Sequence, residues 1–253
     1  MIIIGQGRVG GGLVRRAERV GVATTPLTRT EGWTQIKEDG AGPILVCTNA
    51  DDLAGVVDAT PEPRRDDLVF VQNGMLDTHL KELGRATNTR GLLYFAVPTR
   101  GVEPEPGGES IFTGAHAESM ANWFHAVELG ADAVTKDAFS NEMASKLIWN
   151  CVFGLLCDVH DAPVGRICSH HRGAIDALAG ELISVINAGI QTSLEPRPTI
   201  LGLVAYSESI PDYQGTLKQW PWRNGWFVNA ARTLGRSTPI HDEFLLGRRP
   251  DGR

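Results

Sequence analysis

The feature that most constrains this chain is its first ten residues. Met1-Ile2-Ile3-Ile4 runs straight into Gly5-Gln6-Gly7-Arg8-Val9-Gly10, and Gly11-Gly12-Leu13-Val14-Arg15-Arg16-Ala17 follows. The β-branched run reads as a short buried strand, and the apolar spacing after the glycines reads as a helix from about residue 11 to 20. A strand, a Gly-x-Gly-x-x-Gly turn and a helix start are the parts of a dinucleotide-binding βα unit. Gly5 permits the tight turn. Gly7 lets the backbone approach a pyrophosphate, and Gly10 lets the helix pack close to the strand. With Gln6, Arg8 and Val9 between them, these glycines form the expected cofactor-binding turn, the phosphate resting on backbone N–H groups at the positive end of the helix.

The stretches that follow alternate between strand and helix patterns. Strands are expected at 21–29, 42–48, 67–71, 91–97 and 110–114, with helical spacing at 117–130 through Met120, Trp123, Phe124, Val127 and Leu129. Continuous apolar runs such as Ile44-Leu45-Val46-Cys47 are those of a parallel sheet covered on both faces. Near residue 138 the character changes. A long apolar-periodic helix runs through Met143, Leu147, Ile148, Val152, Leu155 and Leu156, and further helical stretches lie at 172–193, 199–206 and 220–234. The expected architecture is therefore α/β: an N-terminal Rossmann-type, mostly parallel sheet over residues 1–135, then an all-α C-terminal domain over 136–253. The tail 247–253 reads as loose.

Composition removes several function classes. The net charge of −6 gives no basic excess for neutralising phosphates, so nucleic acid is not an expected partner. No apolar run approaches the roughly 20 residues that span a bilayer, so no membrane span is expected. The four cysteines, Cys47, Cys151, Cys157 and Cys168, fall mostly in apolar runs and read as buried free thiols of a reducing compartment. That means the cytoplasm, or an organellar stroma or matrix if a leader has been removed. Cys157-x-x-His160 followed by Cys168-x-His170-His171 fits no standard zinc spacing, and no metal is expected. His170-His171 read as a turn. Trp222 and Trp226, four apart, read as core packing on one helix face, with Pro221 in its first turn.

Ligands of open α/β sheets bind outside the carboxyl ends of the strands. Gly5 to Gly10, Arg29, Asn49 and Gln72-Asn73-Gly74 all fall at such ends. Arg29, just after the second strand, favours the 2′-phosphate of NADP, whereas Glu31 keeps NAD open. Asn73 offers amide donors and acceptors, although Asn-Gly is also a common turn pair. In the helical part, Lys146 and Asn150 share one face of an otherwise apolar helix. A lysine there needs water, an anion or a partner; partly desolvated, it can act as a general acid near neutral pH. A lysine snorkelling to a domain edge is the plainer alternative.

Together these segments resemble the ketopantoate reductases, the NADPH-dependent 2-dehydropantoate 2-reductases. The resemblance rests on Gly-x-Gly-x-x-Gly at 5–10, Gln-Asn-Gly-Met at 72–75, Lys-x-x-x-Asn-Cys at 146–151 and Asn-Gly at 224–225, followed by Gly235-Arg236-Ser237-Thr238-Pro239. It implies NADPH as cofactor and a small 2-oxo acid as substrate, with ketopantoate first, entering an interdomain cleft. Lys146 would be the general acid and Asn73 would lie near the nicotinamide. Asn150 and Ser207 would bind the substrate's polar groups, and the protein would be a monomer or homodimer. The family usually has a glutamate five residues before this Asn-Gly; here it is Gln219, which keeps an acceptor oxygen but loses the charge. The family's lysine after the third strand is here Asn49. These departures leave two alternatives: a reductase of another carbonyl or an imine, or a non-catalytic NADP-binding or assembly module with a degenerate site.

Overall fold

The three isoleucines after Met1 form β1 (Ile2–Ile4), which lies between β2 (Thr25–Leu27) and β3 (Ile44–Val46) and runs parallel to both. Ile3 stands opposite Pro26 on one side and Leu45 on the other. The sheet continues through β4 (Leu68–Phe70), β5 (Arg90–Leu92), β6 (Ser110–Thr113) and β7 (Ala131–Ala133), in the order β2-β1-β3-β4-β5-β6-β7. Every pairing is parallel except β5 with β6. This computed structural model describes all residues except Arg29, Thr30, Glu31, Trp33, Thr34, Pro106, Gln191 and 250–253.

The connecting helices are α1 (Arg8–Arg19), α2 (Leu53–Ala59), α3 (Asp77–Glu82) and α4 (Ala117–Ala126). The side chains of Ile3, Leu45 and Val69 meet Leu13, Val14 and Ala17 of α1 and Met120 and Phe124 of α4 in one buried cluster. α1 begins at Arg8, three residues earlier than its apolar spacing suggests, because Gly7 takes the extended cap conformation and Gly10 and Gly12 are buried within the helix. The strand expected at 91–97 is only Arg90–Leu92. Gly91 permits it there: a Cβ at that position would lie 2.4 Å from the ring of Phe112 on β6. β7 was not expected, since Ala-Asp-Ala carries no apolar run, but its backbone pairs with β6 throughout.

One buried cation in this unit is structural. Arg64 is 3% exposed. Its guanidinium donates to Asp67 at 2.6 Å and to the carbonyls of Lys37 and Gly42 at 3.1 and 3.0 Å. It holds the chain that leads into β3 against the approach to β4, and its pairing offsets the cost of burial.

Residues divide into two compact units, Met1–Phe139 and Ser140–Arg253. The boundary falls inside a single helix, α5 (Lys136–His160). Thr135 caps that helix, its hydroxyl accepting from the Ala138 N–H at 3.3 Å. The second unit is helical: the rest of α5, α6 (Val164–His170), α7 (Arg172–Ile190), α8 (Pro196–Ser209), α9 (Asn224–Thr233) and α10 (Pro239–Leu245). Two local readings change here. His170 ends α6 rather than lying with His171 in a turn. Trp222 belongs to a separate 3-10 turn, Trp220–Trp222, so it shares no α-helical face with Trp226, and Pro221 starts that turn rather than α9. α7 corrects the view that no segment has the length and apolarity of a membrane span: by those measures alone it qualifies. In this fold it packs against α6, α8, α9 and α10, burying Ile175, Leu178, Leu182, Val185 and Ile186.

His241 of α10 is fully buried. Its Nε2 shares a 2.9 Å hydrogen bond with Asn224 Oδ1, and Phe227 packs near the ring. Nδ1 is buried without a partner. Burial pulls this imidazole down to about 4, with Arg249 adding to the effect and Asp242 opposing it. Protons therefore bind the unfolded chain first. The stability conferred by a neutral His241 is complete above about 6.5 and is lost as pH falls toward 4, up to about 3 kcal/mol. Thermal melts across that range are expected to show the loss, and His241→Phe is expected to flatten it.

Candidate functional site

The glycine turn joins β1 to α1 and sits at the carboxyl end of the sheet. The Gly5 N–H donates to Leu27 O at 2.9 Å, pinning the turn to β2, and Gly5 holds a φ of +95°. A Cβ at Gly10 would lie 2.0 Å from the Gly5 carbonyl oxygen and 3.0 Å from Cys47 Cβ. A Cβ at Gly7 would meet nothing within 4 Å. One glycine is thus required by packing, and the other leaves open space in front of the backbone. The first turn of α1 contains no acidic side chain, so its positive end is not compensated from within.

In front of this turn lies a cavity of about 850 Å³. Gly5, Gln6, Gly7 and Arg8 line it, with Thr28 from the end of β2 and Asn49 and Gly55 from the segment after β3. Asn49 is exposed and precedes a 3-10 turn, Ala50–Asp52. Val9 and Gly10 follow on α1. The shape and donor set fit a dinucleotide: open backbone at Gly7, the end of a twelve-residue helix, and a cation beside it. Cys47, also in the lining, is no nucleophile, since burial pushes its thiol up to about 12. Arg29 and Glu31, the residues that bear on NADP against NAD, lie outside the described residues. Arg100 was missed: the Pro-Gly-rich stretch 98–108 read only as a loop, yet Arg100 lines both this cavity and a second hollow over Gly7 and Gly11.

The end of β4 is built differently from its neighbour. The Gln72 side-chain amide donates to Val46 O at 2.8 Å and Thr48 O at 3.1 Å, tying the ends of β3 and β4 together. Asn73 follows, half-buried, and Gly74 turns the chain with a φ of +112°. The turn and ligand readings of Asn73-Gly74 are compatible: Gly74 makes the turn, and Asn73 stays part-exposed at the strand end.

In the second unit, Lys146 is half-buried on α5 and is followed by buried Leu147, Ile148 and Trp149. Burial pulls its ammonium down to about 7; the charge of Arg223 adds to this and Glu142 opposes it. Asn150 Nδ2 donates to the Lys146 carbonyl at 2.8 Å. Asn150 also lines a small cavity with Trp149, Tyr213, Thr216, Lys218 and Arg223. Gln219 is half-buried in a left-handed conformation, φ +53°, at the entry to the Trp220–Trp222 turn.

Ser207, expected to meet the substrate, has partners within the helical unit. It is fully buried on α8. Its hydroxyl accepts from Trp149 Nε1 at 2.8 Å and donates to Leu203 O at 2.9 Å. Its polar capacity goes to fixing the indole, which also meets Phe153, Tyr206 and Tyr213. Arg223 was the other omission. It is 4% exposed, immediately before α9, and its charge bears directly on Lys146. From sequence alone it falls inside the helical stretch expected over 220–234, because the break between the 3-10 turn and α9 is not visible there.

No family model and no curated protein matches the chain. Solved structures do. A ketopantoate reductase of the PanE/ApbA family from Ralstonia eutropha JMP134 superposes with a TM-score of 0.76 at 17% identity, covering 96% of each chain. D-mandelate dehydrogenase, solved with NADH and anilino(oxo)acetate, gives 0.74 at 14% identity, again over 96% of each chain. The dimeric ketopantoate reductase from Staphylococcus aureus gives 0.73 at 16%, covering 96% of this chain and 95% of that one. A mostly parallel seven-stranded sheet, then helices, with near-complete mutual coverage, is the ketopantoate reductase fold, and this chain has it.

Proposed function

We propose that this chain is a divergent member of the ketopantoate reductase family, an NADPH-dependent oxidoreductase that reduces a 2-oxo acid to the 2-hydroxy acid. The observation that carries the reading is Lys146, half-buried on α5 near the buried Arg223, with its ammonium pulled down toward neutrality by burial and by that charge. The fold and the glycine turn support the same reading.

The residues divide the work as follows. Gly5, Gln6, Gly7, Arg8, Val9 and Gly10 hold the pyrophosphate and Asn49 the ribose; Arg29 is the residue assigned to the 2′-phosphate. A nicotinamide held by these residues would supply the hydride for the carbonyl carbon. Lys146 donates its proton to the carbonyl oxygen, and Asn73 steadies the reacting groups. Asn150 and Gln219 orient the substrate's polar groups. Ser207 contributes through Trp149, whose ring it fixes beside Asn150. A cation or acid at the developing alkoxide is what this chemistry demands of the protein.

The test is consumption of NADPH by the purified protein against ketopantoate and a panel of other 2-oxo acids. Turnover of at least one is expected; NADPH binding with none turned over would favour the non-catalytic module that Gln219 brings to mind. Gln219→Glu belongs in the same panel. If it creates ketopantoate activity that the native protein lacks, the native substrate is a different carbonyl compound.

A further inference from the structure

Arg223 stands out among the buried charges. Arg64, the comparable cation of the first unit, is matched by Asp67 and two carbonyls. Arg223 is just as buried, at 4% exposed, yet among the described residues no carboxylate pairs with it, and its Nε is buried without a hydrogen-bond partner. The groups whose charge bears on it are the Cys151 thiol and the Tyr213 phenol, and burial pushes both its own charge and that of the thiol out of favour. Burial keeps the Cys151 thiol from ionising near neutral pH. A second cation, Lys146, lies close enough to be repelled.

A buried, unmatched cation beside another cation is costly, and a fold keeps such an arrangement only where something offsets it. A guanidinium beside a lysine suits an anion, and the unpartnered Nε has a hydrogen bond to give one oxygen of a carboxylate. The cavity that Arg223 lines is about 10 Å³, room for one terminal oxygen rather than a whole substrate. Asn150 and Thr216 line it as well, both able to hydrogen-bond such an oxygen.

We propose that Arg223 binds the carboxylate of the substrate and so restricts this enzyme to 2-oxo acids over uncharged ketones and amides. This rests on the reductase reading above, and assigns to Arg223 the charge recognition that Gln219 does not supply. Lys146 then meets the carbonyl oxygen while Arg223 holds the adjoining carboxylate. Arg223 is a specificity-determining residue, and its removal leaves the proton donor in place.

The experiment uses oxamate, an isostere of a 2-oxo acid that resists reduction, and oxamide, its uncharged counterpart. Both are titrated calorimetrically into the full chain with NADPH present. The wild type is expected to prefer oxamate. Arg223→Met is expected to weaken oxamate by about 30-fold or more and leave oxamide unchanged, and Arg223→Lys to fall between. Circular dichroism checks folding; if the methionine variant does not fold, Arg223→Gln takes its place. Equal oxamate affinity in the folded variant and the wild type, or no preference for oxamate in the wild type, overturns the proposal. The two readings fail separately. Oxamate binding through Arg223 without turnover of any 2-oxo acid sinks the reductase alone; turnover unaffected by Arg223→Met sinks only the role of Arg223.

Discussion

Lys146→Ala is expected to lower the rate of 2-oxo acid reduction by about 10²–10⁴-fold while leaving NADPH affinity unchanged. The size follows from the role: a positioned acid removes most of the cost of a developing alkoxide, and no other cation on the described face of α5 substitutes for it. The pH profile is a sharper signature than the size. On the proposed mechanism the donor is the protonated lysine, and burial with the charge of Arg223 brings that group down to about 7. Reduction is therefore expected to be fastest below that value and to fall as pH rises through it. Arg223→Met removes a repulsive charge, so the falling limb is expected to move to higher pH. Turnover in Lys146→Ala at the wild-type rate, with an unaltered pH profile, would show that the proton comes from elsewhere.

The second large effect separates two glycines that look alike in the motif. Gly10→Ala places a methyl 2.0 Å from the Gly5 carbonyl oxygen, a distance only displacement of the turn can relieve. The expected cost is about 3 kcal/mol of stability, together with loss of NADPH binding, because the same movement disturbs the amides that face the phosphate. Gly7→Ala meets no protein atom within 4 Å, and its φ of −71° suits any residue. Its melting temperature is expected to stay at the wild-type value while NADPH binding weakens by about 100-fold, some 3 kcal/mol, as the methyl occupies the ligand's space. Parallel melts and cofactor titrations of the two variants check this. Loss of stability in Gly7→Ala, or unimpaired NADPH binding by it, would count against the turn as a phosphate cradle.

These contrasts show where the sequence was informative. The β1-turn-α1 unit was legible because each of its parts constrains the next: three β-branched residues, glycines at fixed offsets, then amphipathic spacing. α5 was legible because its apolar positions persist for many turns. Short elements lacked that redundancy. β7 is a strand because β6 offers it partners, not because Ala-Asp-Ala prefers to be extended. The break at Arg223 between the Trp220–Trp222 turn and α9 is a tertiary feature, so one helix seemed to run through it. Ser207 illustrates the limit at the site. Which partner a hydroxyl finds depends on what packs opposite, and here that is the indole of Trp149. Arg100 and Arg223 escaped for a common reason: a single arginine, in a loop or in a helical stretch, carries no periodic signal of its own, and only the fold shows that one faces a cavity and the other is buried.

The run of α5 through the unit boundary bears on how this protein can be dissected. Cutting the gene where the compact units part, between Phe139 and Ser140, would behead a helix whose first turn and Thr135 cap lie upstream of the cut. The new amino terminus would place an extra positive charge at the positive end of the helix, on the element that carries Lys146. A helical fragment meant to retain the properties of that lysine has to begin ahead of Thr135, and a sheet fragment has to end before it, so the two pieces share no clean junction at the apparent seam.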